Sequence, residues 1–201
     1  MNDQPNGDGT RKLGRKSKPV TQERLRKAAL AHIDRYATSS DNLRDVLMRR
    51  IHRSVRLHGT DPDRASGWAD EIVADLVARN LVNDRQYAEN RALSLYRRGT
   101  SRRKIEMYLR TKGVGPADIT EALVALEETD PDSEFTAACR HAQRRRLGPW
   151  RRENRLARRD NDLAAMARAG FSYGIASQVI NADDIEALEE ESEQRAAERR
   201  S

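Results

Sequence analysis

The chain predicts an all-α protein built of tandem three-helix repeats, and three observations carry that expectation. Apolar residues fall at helical i, i+3, i+4 spacing in a succession of short windows. Glycines and prolines punctuate the windows so closely that none of these helices is long enough to stand alone. A set of three windows then recurs, with Lys112-Gly113-Val114 ahead of Ile119 and Leu123 answered by Ala169-Gly170-Phe171 ahead of Ile175 and Val179.

Residues 1 to 20 hold Gly7, Gly9 and Gly14 among Arg11, Lys12, Arg15, Lys16 and Lys18, with almost nothing to bury, and read as a disordered basic arm. The first repeat, 21 to 80, opens with a helix from Gln22 to Thr38 built on Leu25, Ala29, His32, Ile33 and Tyr36. Ser39 or Ser40 caps a second helix with Leu43, Val46, Leu47 and Ile51 inward. His58-Gly59-Thr60-Asp61-Pro62 reads as a turn-rich insertion, and a third helix starts at about Ser66 on Trp68, Ile72, Val73 and Leu76. Only the middle helix of this copy matches the others, Leu43 and Leu47 answering Ile105 and Leu109.

The second repeat, 81 to 129, is the most legible. Asn83 with Gln86 has the form of a capping box, Gly99 and Gly113 stop helices, Thr100 or Ser101 starts one, and Pro116 suits a first turn. Tyr87, Ala88, Ala92 and Leu95 face inward first, then Ile105, Tyr108 and Leu109, then Ile119, Ala122, Leu123 and Leu126. Thr129-Asp130-Pro131 breaks the chain before the third repeat, 130 to 182. Its helices are expected from Phe135 to about Leu147, about Arg151 to Ala169, and Ser172 to about Ala182. In the tail, 183 to 201, Ile185 and Leu188 are the last apolar residues of a helix extension.

A hydrophobic fraction of 37% with 4% aromatics supports only a thin core spread over small helices. The net charge of +6 hides an asymmetry. Asp183 to Ser201 carries 8 acidic against 3 basic residues, leaving 35 basic and 24 acidic on residues 1 to 182. Such a body suits a polyanionic or acidic partner, and Glu189, Glu190, Glu191 and Glu193 of the tail can fold back to compete with it. Cys139 is the only cysteine; it shares a face with Phe135, Ala138 and Ala142 and is expected as a core thiol in a reducing compartment. His32, His52, His58 and His141 lack ligand spacing, so neither metal nor cofactor is expected. No apolar run approaches the ~20 residues of a membrane span, and no apolar signal core is present at the start, so a cytoplasmic location is expected.

Two cationic stretches are the candidate binding surface. On the middle helix of the second repeat, Arg103, Met107 and Arg110 lie opposite the apolar side, flanked by Arg97, Arg98, Arg102, Lys104 and Lys112. Between Arg140 and Arg159 stand nine arginines, Arg140, Arg144, Arg145, Arg146, Arg151, Arg152, Arg155, Arg158 and Arg159, against one acid, Glu153. That density repels itself unless an anion answers it, and the planar guanidinium fork suits phosphate or carboxylate. No enzyme constellation is legible. Ser101, Ser133 and Ser172 sit where helix caps are needed, Asp61, Asp63, Asp130 and Asp132 sit beside prolines as turn residues, and Gly113-Val114-Gly115-Pro116 lacks the Gly-Lys-Ser/Thr of a phosphate loop.

Leu81-Val82-Asn83-Asp84-Arg85-Gln86-Tyr87-Ala88, Arg98-Gly99 with Ser101 and Ile105, Leu109-Arg110-Thr111-Lys112-Gly113-Val114 and Arg168-Ala169-Gly170-Phe171-Ser172 together resemble the RecX family of bacterial recombination regulators. The resemblance implies an elongated, curved body of three-helix repeats. It also implies a non-enzymatic, monomeric role on the RecA recombinase and its single-stranded DNA filament, restraining ATP hydrolysis and strand exchange in DNA repair, recombination and the SOS response. An independent, sequence-nonspecific DNA-binding module with weak direct DNA contact is the rival expectation, because short helix triplets also serve as DNA readers. The basic arm, the stretch His58 to Pro62 and the acidic tail depart from the compact family pattern.

Overall fold

A computed structural model describes residues 18–198, and among them the chain is α-helical with no strand. Most of the expected basic arm, up to residue 17, and the end of the tail after residue 198 lie outside the described residues.

The first triplet is α1 (Gln22–Ile33), α2 (Ser40–His58) and α3 (Pro62–Ala78). Thr21, Ser39 and Asp61 cap them, each side chain accepting a first-turn backbone N–H. Two expectations need correction here. α1 ends at Ile33 rather than Thr38, because the chain must turn and become extended at Ser39 (ψ 163°) to cap α2. His58 to Pro62 is not an insertion: Gly59 closes α2 and Asp61-Pro62 starts α3, four residues ahead of the expected Ser66. Gly59-Thr60-Asp61-Pro62 therefore occupies the same register as Gly113-Val114-Gly115-Pro116, and the first copy keeps the turn as well as the middle helix.

The second triplet is α4 (Asp84–Tyr96), α5 (Arg102–Thr111) and α6 (Pro116–Thr129). Asn83 accepts the Gln86 N–H at 2.9 Å, Ser101 caps α5, and Pro116 is in the first turn of α6. The third is α7 (Ser133–Arg145), a 3₁₀ turn at Gly148–Trp150, α8 (Arg155–Arg168) and α9 (Tyr173–Asn181). The turns after α5 and α8 tighten alike: Val114 N–H reaches Leu109 O and Phe171 N–H reaches Met166 O, both at 3.2 Å, while Val114 and Phe171 bury their side chains. The tail forms a separate helix, α10 (Ile185–Glu198), rather than an extension of α9.

Leu25, Ala29, Leu43, Leu47, Ile51, Ile72 and Leu76 make one core in the first triplet, whereas the second and third triplets share a continuous core from Tyr87 to Leu188. Triplets are joined twice by the same device. Ser39, fully buried, donates its hydroxyl to Lys112 O at the end of α5, and Ser101, also fully buried, donates to Ala169 O at the end of α8 at 2.7 Å. Beside each bond a glycine allows contact: a Cβ on Gly113 would lie 2.2 Å from that of Asp41, and one on Gly170 would lie 2.6 Å from Ser101 Oγ. The N-terminus of each middle helix thus sits on the C-terminus of the next, so α2, α5 and α8 run end to end with their dipoles in favourable order, and the body is elongated. Side contacts fix the joints: Ser40 N–H and Oγ bind Asp84 at 2.7 and 2.5 Å, and Glu134 accepts the Arg102 N–H at 2.8 Å. The Tyr96 hydroxyl donates to Asp130, and burial together with that carboxylate pushes the phenol up to about 12. Ser101→Ala removes both a cap and an inter-repeat bond; a loss of about 2 kcal/mol in urea unfolding is expected.

Candidate partner-binding surface

The α5 face is set by its buried edge. Ile105 and Leu109 are buried, which turns Arg103, Met107 and Arg110 to solvent, with Met107 56% exposed. The cations around it are unequal. Arg110 is held by Glu106 at 2.6 Å and Arg102 pairs with Glu127. Arg98 folds back onto Ser94, 3.2 Å from its carbonyl and 3.1 Å from its hydroxyl. Lys112 reaches Asn42 Oδ1 at 3.3 Å and lies 5.7 Å from the Tyr108 ring centroid. Lys104 is half-buried beside Gly170, and Arg97 and Arg103 are exposed.

The nine arginines from Arg140 to Arg159 divide into two groups. Four are held by contacts within the protein, Arg140 across to the second triplet and Arg151, Arg155 and Arg159 within the third. Arg140 lies 4.8 Å from the Tyr96 ring centroid. Arg151 grips Asp162 with Nε at 3.0 Å and Nη2 at 2.6 Å. Arg155 donates to the carbonyl of Ile180 in the last turn of α9 and to those of Ala182 and Asp183 just past it, and Arg159 bonds Asn181 Oδ1 at 2.7 Å. The other five, Arg144, Arg145, Arg146, Arg152 and Arg158, are exposed, and no carboxylate among the described residues pairs with them. They cluster around the turn from α7 to α8, where Arg146, Arg151, Arg152, Glu153, Asn154 and Arg158 line a cavity of about 380 Å³. Arg146 and Asn154, at φ 55° and 56°, bend the backbone on both sides of it, and no side chain caps the start of α8.

Asp162 organises this corner. It is only 2% exposed, and its carboxylate accepts the Gly148 N–H at 3.0 Å as well as the Arg151 fork. Burial alone would raise its pKa, but the Arg151 and Gly148 hydrogen bonds outweigh burial and hold it below the usual carboxylate range. The 3₁₀ turn between α7 and α8 is thereby pinned to α8. A signal for Asp162 exists in the sequence: it stands four residues before Met166 on the inward side of α8, and an acid there calls for a buried partner.

Ser101 and Ser172 cap α5 and α9, while Ser133 is the first residue of α7, after Asp132 in the cap position. Cys139 is half-buried beneath α10, and burial pushes its thiol up to about 11. Burial lowers the His141 pKa, with Arg144 and Arg145 adding to the effect. Among the described residues no group of His, Cys, Asp and Glu is placed to hold a metal, and no helix is long and apolar enough to cross a membrane.

A family model described as RecX, second three-helix domain, matches residues 83–123, which span α4, α5 and most of α6. A regulatory protein RecX of Myxococcus xanthus is 42% identical over 171 residues, covering 84% of this chain and 90% of that protein. One from Agrobacterium fabrum is 30% identical over 156 residues, covering 77% and 80%. The crystal structure of RecX from Lactobacillus salivarius superimposes with a TM-score of 0.54 at 20% identity, over 79% of this chain and 94% of that one, a likeness of fold.

Proposed function

We propose, from the premise that this chain belongs to the RecX family of regulatory proteins, that it is a non-enzymatic cytoplasmic regulator that binds RecA on single-stranded DNA and lowers its ATPase and strand exchange. The repeats at 21 to 80, 81 to 129 and 130 to 182 are the units that lie along the filament. The observation that carries this reading is the group of five exposed arginines, Arg144, Arg145, Arg146, Arg152 and Arg158, that no carboxylate among the described residues pairs with, in the last repeat of an elongated body. The turn that Asp162 and Arg151 lock fixes the backbone carrying Arg146 and Arg152 between α7 and α8, so an anionic partner has only the arginine side chains to order. The α5 face around Arg103 and Met107 supplies a second contact of mixed character on the neighbouring repeat.

Titrating the protein into RecA on single-stranded DNA should depress ATP hydrolysis, and the protein should sediment with the filament. A variant with Arg144→Glu, Arg145→Glu, Arg152→Glu and Arg158→Glu should bind weakly. If each of these arginines answers one phosphate, the salt dependence of binding falls by roughly 3 to 4 in slope. Unchanged ATPase and no cosedimentation at any concentration would defeat the proposal. A second reading, direct DNA binding independent of RecA, is favoured by the cavity at the uncapped start of α8. Capture of RecA in the absence of DNA separates the two.

A further inference from the structure

We infer that the first repeat carries a site for single-stranded nucleic acid, in which Arg49, Arg53 and Arg56 of α2 take phosphates and the ring of Tyr36 takes a base. The site is separate from both cationic surfaces described above and does not require RecA to be the partner.

α2 is 19 residues long against 10 for α5. Set in register at their caps, Ser39 and Ser101, α5 ends at the position of Arg49, so the turns of α2 from Arg50 onward have no counterpart in the second repeat. The inner side of those turns is used: Ile51 is buried, and Ser54, also buried, accepts the Val20 N–H at 3.0 Å. The outer side is cationic. Arg49, Arg53 and Arg56 follow at i, i+4 and i+7, opposite Leu47, Ile51 and Ser54, and all three are exposed, as is Arg50 beside them. The carboxylates of the neighbouring α3 are engaged elsewhere. Asp70 holds Arg44 at 2.6 Å, Asp75 holds Arg26 at 2.6 Å and Arg79 at 2.8 Å, and Glu71 accepts from Gln22 at 2.8 Å. No carboxylate among the described residues therefore pairs with Arg49, Arg50, Arg53 or Arg56.

His32, at the end of α1, ties this face to an aromatic ring. Burial, then the charges of Arg49 and Arg50, lower its pKa, so the imidazole is neutral at pH 7 and lies within the field of those two arginines. It braces Tyr36 with ring centroids 5.2 Å apart and planes tilted by 42°. The backbone fixes Tyr36 as well: its N–H donates to His32 O at 2.9 Å, and Thr38 and Ser39 just beyond are buried. Tyr36 is nevertheless 60% exposed. A ring mounted in the open on a pinned turn loses little freedom when a flat face lands on it. A duplex keeps its bases stacked inside and presents phosphates alone, whereas a single strand offers phosphates to the guanidinium forks and a free base to the ring. Stacking of that kind tolerates any base, so the site reads strandedness and not sequence.

The test titrates the full-length chain into a fluorescein-labelled oligothymidylate of about 16 nucleotides, followed by anisotropy at several salt concentrations with RecA absent. Arg49→Gln, Arg53→Gln and Arg56→Gln together should reduce the slope of log affinity against log salt by about 2, at ~0.7 per phosphate. Lysine at the same three positions should keep the slope. Tyr36→Ala should weaken binding about tenfold at every salt concentration without altering the slope, and Tyr36→Phe should bind as the unaltered protein does. Against a duplex of the same length Tyr36→Ala should have no effect. An unchanged slope in the triple glutamine variant would overturn the inference, as would unchanged binding in Tyr36→Ala or an equal loss on the duplex. A polyglutamate peptide that binds as tightly as the oligonucleotide, and is lost in the triple glutamine variant, would make the face a contact for an acidic protein and also overturn it. All four side chains are exposed, so every variant should fold; loss of the folded state would give them a structural use and reject the site.

Discussion

Asp162→Ala is expected to lower the unfolding free energy by about 3 kcal/mol, because Arg151 and the Gly148 N–H both lose their acceptor in a buried corner. The loss stays at the low end for a broken buried pair because Arg151 is 27% exposed and can turn toward water. Binding should weaken as well, since Arg146 and Arg152 flank the turn that Asp162 holds. A pH signature separates this from a general packing defect. The Asp162 pKa is depressed on folding, so its contribution is fully present above the unfolded carboxylate value, about 3.9, and is lost as pH falls through the folded value. The stability gap between the unaltered protein and Asp162→Ala should therefore narrow below about pH 4. The measurement is urea unfolding followed by Trp150 fluorescence in a Trp68→Phe background, because Trp150 packs on the shared core and Trp68 on that of the first triplet. A gap that stays constant down to pH 2.5 would show that the ionised Asp162 is not what pins the turn.

Much of the fold was legible because helix boundaries were written in residues with one dominant use. Asn83, Ser101, Ser172 and Pro116 sit in first turns or caps where their chemistry places them. The boundaries that escaped were those where a signal had two readings. Asp61-Pro62 looked like loop chemistry and serves as a cap with a first-turn proline, which hid the third instance of the glycine turn. The joints were not legible at all. The sequence offers Ser39 or Ser40 and Thr100 or Ser101 as caps, and Ser39 and Ser101 take those places, but a hydroxyl that accepts from its own helix can also donate, and the carbonyls it finds lie 73 and 68 residues away. Nothing local in the sequence marks that second use.

The candidate surface was legible in position and only partly in use. Helical periodicity alone turns Arg103, Met107 and Arg110 outward. Within the arginine run the same periodicity could not tell Arg151 and Arg155, which satisfy buried or terminal acceptors, from Arg152 and Arg158, which meet solvent. The distinction depends on Asp162 and on the end of α9, both distant in sequence from the arginines they hold. The tail shows the same limit. Its acids are expected over the basic body, and α10 does lie on α7 with Glu189 beside Arg140, but the buried contact is made by Leu188 and by Arg195 over the Phe135 ring.

Gly99→Ala tests whether the repeats must keep a fixed relation for the two cationic surfaces to act together. Gly99 ends the turn between α4 and α5 at φ +71°, pressed against α7 of the next repeat. A Cβ there would lie 2.7 Å from His141 N, 3.0 Å from Ala137 O and 3.0 Å from Arg140 C, all backbone atoms that no rotamer change can move. Left-handed backbone costs an alanine about 1 kcal/mol and the enforced overlap about 2 kcal/mol more, so a loss of about 3 kcal/mol is expected. Gly59→Ala is the matched control, with φ +62° and nothing within 4 Å of the added carbon, and should lose only about 1 kcal/mol. Relief of the Gly99 clash requires the second and third repeats to part, which displaces the α5 face from the arginines at the α7–α8 turn. Filament binding should then fall in Gly99→Ala and remain unaltered in Gly59→Ala, each compared at a temperature where both are folded. Equal stability losses in the two variants would remove the steric argument. Unaltered filament binding despite a displaced joint would mean that one repeat suffices and that the spacing between the two surfaces is not used.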